Sequence, residues 1–189
     1  MIGEHILSGF ENLRVATCVD DRWTPFRIMV RLQTRRKRRH KKHPNSHARE
    51  VALQALYQVD VADSTEADVL AMNWLNEPLE PIRLAYCERL IRGVLANRAE
   101  LDRWIIEHSR KDMTQISTII RNILRMGIWE LRIGEIASSI IIDDQLNLTR
   151  IYEGEEAVPF VNGILDTHLN LLFPEKEAQE SAESGDNLE

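Results

Sequence analysis

Residues 114–134 read TQISTIIRNILRMGIWELRIG, the most apolar span of the chain. Its apolar residues recur every three or four positions, which is the repeat of one α-helical face. They are Ile116, Ile119, Ile120, Ile123, Leu124, Gly127, Ile128 and Leu131. Few polar positions interrupt this pattern, so it predicts a helix buried at the centre of the fold.

Helical periodicity continues on both sides of this span. Ser46 is a plausible N-cap for the first helix, and Pro81 suits the first turn of another. The other predicted helices cover residues 46–60, 65–76, 81–98, 99–109, 138–152 and 158–173. Since no convincing strand-like alternation occurs, the sequence predicts an all-α fold, a compact bundle of about seven helices.

The bulk composition is that of an ordinary soluble globular protein. Of 189 residues, 43% are hydrophobic and 29% charged, with only eight glycines and six prolines. Cys18 and Cys87 match no metal or redox spacing, which favours two free thiols in a reducing compartment. No apolar run approaches the roughly 18 residues of a membrane span, and no secretory signal is recognisable. We therefore expect a cytoplasmic protein without a membrane partner.

Charge is distributed very unevenly. Residues 35–43 read RRKRRHKKH, with seven Lys or Arg in nine positions. Residues 1–43 together carry a net fixed charge of +7 and the remainder −13, giving −6 overall. A dense cluster of this kind is often a solvated tail, but a basic arm next to a helix can also bind a polyanion.

The ends of the chain differ in composition from the helical part. Residues 1–45 are predicted to be a poorly ordered extension that carries the basic arm, and residues 46–173 a helical domain. Residues 174–189 contain six acids without an apolar period and are predicted to be a disordered tail. One hypothesis is that translation begins at Met29 rather than Met1.

No set of residues predicts catalysis. The glycines form no phosphate-binding loop and no serine lies in a nucleophile motif. Asp143 and Asp144 are adjacent, so a helix directs them about 100° apart, and a solvated acidic helix start is the preferred interpretation. His40, His43 and His47 lie among cations that disfavour a divalent ion. We expect no catalytic residue, no metal and no cofactor.

The last predicted helix begins VPFVNGILD, residues 158–166. Glycine within a helix costs roughly 1 kcal/mol relative to alanine, so Gly163 implies either close packing of helices or a surface that a partner contacts. Phe160 lies off the apolar stripe. It is either a flank of the core or an exposed ring on which an unpaired base stacks.

Three segments together resemble the bacterial transcription antitermination factor family NusB. They are AREVALQALYQVD (48–60), ILRMGIWELR (123–132) and IIIDDQLNLTRIYEGEEAVPFVNGILD (140–166). The resemblance covers residues 46–172 and implies two three-helix subdomains, monomeric or dimeric, without catalysis. It also implies binding of single-stranded boxA RNA in ribosomal RNA transcripts, together with NusE, a small-subunit ribosomal protein. Other Nus factors and RNA polymerase complete the assembly, which prevents premature termination.

The resemblance and the charge pattern together assign the candidate RNA-binding residues. These are Arg38, Arg39, Lys41, Lys42, Arg49, Phe160 and Asn162. Asn162 is equally compatible with a hydrogen bond that ties helices together. The resemblance further implies that Glu50 and Tyr57 contact the protein partner, that Arg125 supports the first helix, and that Gly163 permits close helix approach.

The chain also departs from the family pattern. Asn45, Ser46 and His47 stand where the family usually has arginines, and Pro159 stands where a lysine is common. These changes predict weaker RNA affinity without the partner. The alternative function is a protein-interaction module without RNA binding of its own, like the related domain joined to some ribosomal RNA methyltransferases. The choice between monomer and dimer stays open.

Overall fold

The computed structural model describes residues 43–62 and 64–174, which form seven α-helices and two short 3-10 helices. The α-helices are α1 (Ser46–Val61), α2 (Glu66–Leu70), α3 (Pro81–Ala96), α4 (Arg98–Ser109), α5 (Thr118–Ile133), α6 (Ser138–Tyr152) and α7 (Val158–Leu172). The 3-10 helices are Met113–Gln115 and Glu155–Ala157. These two ranges contain no strand, so the all-α prediction is confirmed. No helix in them is long and apolar enough to cross a membrane.

Helix α5 lies at the centre of the bundle, as its sequence predicts. It packs against α1, α3, α4, α6 and α7. Ile123, Leu124 and Ile128 have no exposed surface. Helices α1, α2 and α3 pack on one another, and α4, α6 and α7 pack on α5. The division into two three-helix subdomains stays a prediction.

The ends of α5 follow from its capping residues. Ser117 accepts a hydrogen bond from the backbone amide of Ile120 at 3.2 Å, which caps the first turn. Gly134 ends the helix in the left-handed conformation, at φ 69°. The predicted start at residue 114 was therefore four residues early, because residues before Ser117 form a separate 3-10 turn.

Predicted and observed bounds agree within two residues for the five other helices apart from α2. Pro81 occupies the first turn of α3, α6 has the predicted bounds, and α7 ends one residue before the prediction. Helix α2, predicted over 65–76, ends at Leu70. Met72 follows it with a positive φ of 53°, a conformation that a continuous helix cannot contain.

Cys87 is a free, fully buried thiol on α3. Burial, together with the nearby Glu88 carboxylate, raises the pKa of Cys87 to about 12. The thiol is therefore protonated and packs as a small apolar side chain. Cys18 lies outside the described residues.

The close helix approaches use glycines other than Gly163. A Cβ added to Gly127 on α5 would lie 2.8 Å from Leu165 Cδ2 on α7, and one added to Gly93 on α3 would overlap the indole of Trp129. A Cβ on Gly163 would meet no atom within 4 Å. The prediction that Gly163 permits close helix packing is therefore wrong, and Gly163 lies on an exposed face.

We predict opposite effects for the same substitution at two glycines. Gly163→Ala should raise the free energy of unfolding by about 0.5–1 kcal/mol, because alanine is the better helix former and the site is open. Gly93→Ala should lower it by about 1–3 kcal/mol through overpacking against Trp129. Urea unfolding of both variants checks this, and a destabilised Gly163→Ala variant would contradict the open site.

Candidate nucleic-acid interface

The basic arm joins the folded part at the start of α1. Arg38, Arg39, Lys41 and Lys42 lie outside the described residues. Ser46 donates its hydroxyl proton to the Asp144 carboxylate on α6, with oxygen distances of 2.8 and 2.9 Å.

Ser46 was predicted to cap α1, but its hydroxyl bonds to Asp144 instead. The N-cap position belongs to Asn45, and no side-chain bond caps the helix. The prediction of Ser46 as N-cap is therefore wrong. Its hydroxyl instead fixes the first turn of α1 to α6.

Arg49 forms a buried ion cluster one turn further along α1. Its guanidinium has no exposed surface. Nε donates to the Glu130 carboxylate at 2.9 and 3.0 Å, and Nη2 donates to the same group at 2.8 Å. Nη1 pairs with Asp144. Asp144 therefore binds both Ser46 and Arg49, and its interpretation as a solvated helix-start acid is wrong.

The burial of Arg49 corrects its predicted role. A guanidinium without accessible surface, already bonded to two carboxylates, offers no group to an RNA phosphate or base in this conformation. Arg49 therefore belongs to the core. It holds α1 against α5 and α6, and thereby fixes the point where the arm leaves the bundle.

The charges in this cluster stabilise one another. Burial alone would lower the pKa of Arg49, but the hydrogen bond and charge of Glu130 outweigh it, so the pKa is raised. Tyr86 on α3 donates its hydroxyl proton to Glu130, and burial followed by the Glu130 charge raises the pKa of Tyr86. Gln145 Nε2 donates to Glu130 as well, at 3.1 Å. Glu130 thus joins four helices.

A second buried arginine confirms the support predicted for α1. Arg125 on α5 is only 2% exposed. It donates to Asp60 on α1 at 2.8 Å and to Asp102 on α4 at 2.6 and 2.8 Å. Both ends of α1 are therefore fixed to the bundle by buried ion pairs.

Phe160 lies in the first turn of α7, where its ring packs against the core yet stays half-exposed. The ammonium of Lys111 lies over the ring, 4.5 Å from its centroid. This geometry is that of a cation–π contact. The ring thus flanks the core and keeps accessible surface, and stacking of an unpaired base on it stays a prediction.

The packing of α4 against α7 explains why Lys111 meets Phe160. The rings of Trp104 on α4 and His168 on α7 meet edge to face, with centroids 4.4 Å apart. Lys111 follows Trp104 by seven residues and Phe160 precedes His168 by eight, so the chain segments run antiparallel. Burial, with smaller effects of Arg132 and His108, lowers the pKa of His168 to about 4. The imidazole is therefore neutral at physiological pH.

Asn162 is bonded within its own helix. Its Nδ2 donates to the Asp166 carboxylate one turn later on α7. Asn162 was predicted either to contact RNA or to tie two helices together. A bond within one helix does not support the second alternative. The half-buried side chain of Asn162 stays a candidate for RNA contact.

Glu50 and Tyr57 lie seven residues apart on α1, and therefore on the same helical face. Tyr57 is half-buried. Glu50 accepts a long hydrogen bond from the Tyr152 hydroxyl, at 3.4 Å, and lies 3.8 Å from His47. A protein partner at this face would therefore meet a carboxylate already held by α6.

Sequence reasoning missed Lys111. It stands 49 positions before Phe160, and neither periodicity nor charge density marks a single lysine in a loop. Only the antiparallel packing of α4 and α7 brings the two side chains together.

The described residues form an all-helical bundle in which buried arginine–carboxylate pairs hold α1 and the Lys111 ammonium lies over the Phe160 ring at the start of α7. A sequence model of the NusB family matches residues 46–170. The chain belongs to the NusB family.

Individual relatives agree with this assignment. The transcription antitermination protein NusB of Myxococcus xanthus is 36% identical over 124 residues, covering 62% of this chain and 89% of the relative. That of Anaeromyxobacter dehalogenans is 34% identical over 136 residues, covering 71% and 96%.

Solved structures show the same fold. NusB of T. maritima aligns with a TM-score of 0.61 at 27% identity, over 75% of this chain and 99% of that one. A crystal structure of the antitermination factors NusB and NusE in complex with dsRNA aligns with a TM-score of 0.58 at 23% identity, covering 67% and 96%. At that identity the second likeness supports the fold alone.

We predict that Arg49→Met lowers the free energy of unfolding by about 3–5 kcal/mol, because it leaves Glu130 and Asp144 buried without their cation. Arg89→Met is the matched control. Arg89 pairs with Glu135 at the surface, where such a pair contributes about 0–1 kcal/mol. Denaturant unfolding measures both variants. An Arg49→Met variant that keeps full stability but loses RNA binding would restore Arg49 to the binding set.

Proposed function

We propose that this chain is a transcription antitermination factor that binds single-stranded boxA RNA of ribosomal RNA transcripts together with NusE. The observation that carries the proposal is its membership of the NusB family over residues 46–170. The relatives from Myxococcus and Anaeromyxobacter are transcription antitermination proteins. A structural neighbour is NusB in a crystal structure with NusE and dsRNA, a likeness that supports the fold. The proposed role is binding, without catalysis.

The proposed binding surface makes two kinds of contact with RNA, one to phosphates and one to bases. Arg38, Arg39, Lys41 and Lys42 neutralise phosphates, which gives affinity that is independent of sequence and falls with salt. Phe160 offers a half-exposed ring for stacking of an unpaired base, a contact available only where the RNA is single-stranded. Asn162 beside it supplies an amide for a base edge.

The protein partner is proposed to dock on α1. Glu50 and Tyr57 share one face of that helix, and Glu50 is already held there by the Tyr152 hydroxyl of α6. Other Nus factors and RNA polymerase would join the same assembly, which places the protein in the cytoplasm. We also propose that the chain has no catalytic activity and acts as a monomer or a homodimer.

Gel-shift of boxA RNA with the chain, with and without NusE, tests the function. We expect a shift with the chain alone that tightens when NusE is added, and that weakens when the boxA sequence is scrambled. Association with NusE that is indifferent to boxA would instead identify a protein-interaction module without RNA binding of its own.

We predict that Phe160→Ala weakens boxA binding by about 1–3 kcal/mol if one base stacks on the ring. The matched control is Phe173→Ala, which removes an exposed ring at the far end of α7. Fluorescence anisotropy at fixed salt measures both affinities, and circular dichroism checks that each variant is folded. Equal affinity of Phe160→Ala and the unaltered chain would remove Phe160 from the site.

We predict a second, separate effect for the basic arm. Replacing Arg38, Arg39, Lys41 and Lys42 by glutamine should reduce the slope of log K against log salt, by roughly 0.7 for each phosphate that the arm no longer neutralises. The measurement is a salt titration of boxA binding. A slope that does not change would show that the arm binds no phosphates.

A further inference from the structure

We propose that Lys111 binds the RNA phosphate next to the base stacked on Phe160, so that the end of α4 completes a one-nucleotide site with the start of α7. This inference rests on the proposed function and adds a residue to its binding surface. The cation–π contact between the two side chains, with the ammonium 4.5 Å from the ring centroid, is its starting point.

The backbone of Lys111 is held in place by a buried hydroxyl. Ser109, only 6% exposed, donates its hydroxyl proton to the Lys111 carbonyl at 2.9 Å and accepts from the Lys111 amide at 3.2 Å. These two bonds fix the turn after α4. The lysine therefore starts from a defined position beside α7, which reduces the ordering cost of a contact made there.

The charge of Lys111 is available. Its side chain is exposed, and no carboxylate of the described residues lies within ion-pair distance of it. Arg110 beside it is also exposed and adopts a left-handed backbone, at φ 52°. Two other exposed arginines are paired with carboxylates, Arg92 with Glu66 and Arg89 with Glu135. A cation that is held but not neutralised favours an anionic ligand.

The chemistry of the pair matches a nucleotide of single-stranded RNA. Each such unit has a flat base and an anionic phosphate, and Phe160 and Lys111 present an aromatic face and an ammonium at contact distance from each other. The Lys111 ammonium covers one face of the Phe160 ring. A base that stacks on this face displaces the ammonium towards the phosphate. The ammonium then loses a cation–π contact and gains a stronger charge-assisted contact with the phosphate. An acidic protein segment would use the ammonium but not the ring.

The experiment compares Lys111→Gln with Arg92→Gln in the full-length chain, using a single-stranded boxA RNA oligonucleotide. Both variants remove one exposed positive charge, but only the first removes it beside Phe160. We expect Lys111→Gln to weaken binding roughly fivefold and to reduce the salt slope by about 0.7. Arg92→Gln should leave the slope unchanged. Thermal melting should be the same for both, since each side chain is at the surface.

A double variant tests whether the two side chains act on the same nucleotide. In Phe160→Ala/Lys111→Gln the decrease in affinity should be smaller than the product of the two single decreases, because the nucleotide is already released. Equal slopes for Lys111→Gln and Arg92→Gln would overturn the inference. So would a loss of NusE association with RNA affinity intact, which would assign the lysine to the protein partner. Failure of the unaltered chain to bind RNA would refute the proposed function itself.

Discussion

The ion cluster of Arg49, Glu130 and Asp144 is the constraint on which the rest of the structure depends. A buried arginine is tolerated only when its donors are satisfied, and here two carboxylates from different helices satisfy them. Glu130 in turn accepts from Tyr86 and Gln145. One carboxylate on the central helix therefore sets the positions of α1, α3 and α6 together, and apolar packing fills the space around it.

The candidate surface is built on helix ends, outside this core. Phe160 is in the first turn of α7, Lys111 follows the last turn of α4, and the arm enters at the first turn of α1. Helix ends carry backbone groups without intrahelical partners and lead into loops, so residues there can be exposed while the helices keep them in place. The Arg49 cluster lies in the interior, where it positions the first turn of α1.

The helices of this fold are predictable from sequence because each buries one apolar face, and the central role of α5 follows from its unusually continuous stripe. The errors arise where a side chain meets a distant partner. Arg49 is predicted to be an RNA ligand from the family resemblance and the basic segment before it, yet its partners stand at positions 130 and 144. Gly163 and Gly127 look alike as helical glycines, and only the packed structure shows which one faces a neighbour. Lys111 has no sequence signal, because its proposed role depends on the crossing of two helices.

The bond between Ser46 and Asp144 gives the basic segment a fixed point of attachment on the bundle. The cations at positions 35–42 are at most eleven residues from this fixed point, so none of them can lie farther than about 40 Å from it. A polyanion held on the bundle within that radius therefore meets cations that the chain itself keeps nearby rather than cations from bulk solution. In the proposed function, covalent attachment alone would let weak, nonspecific charge contacts add to the specific contacts proposed for Phe160 and Lys111.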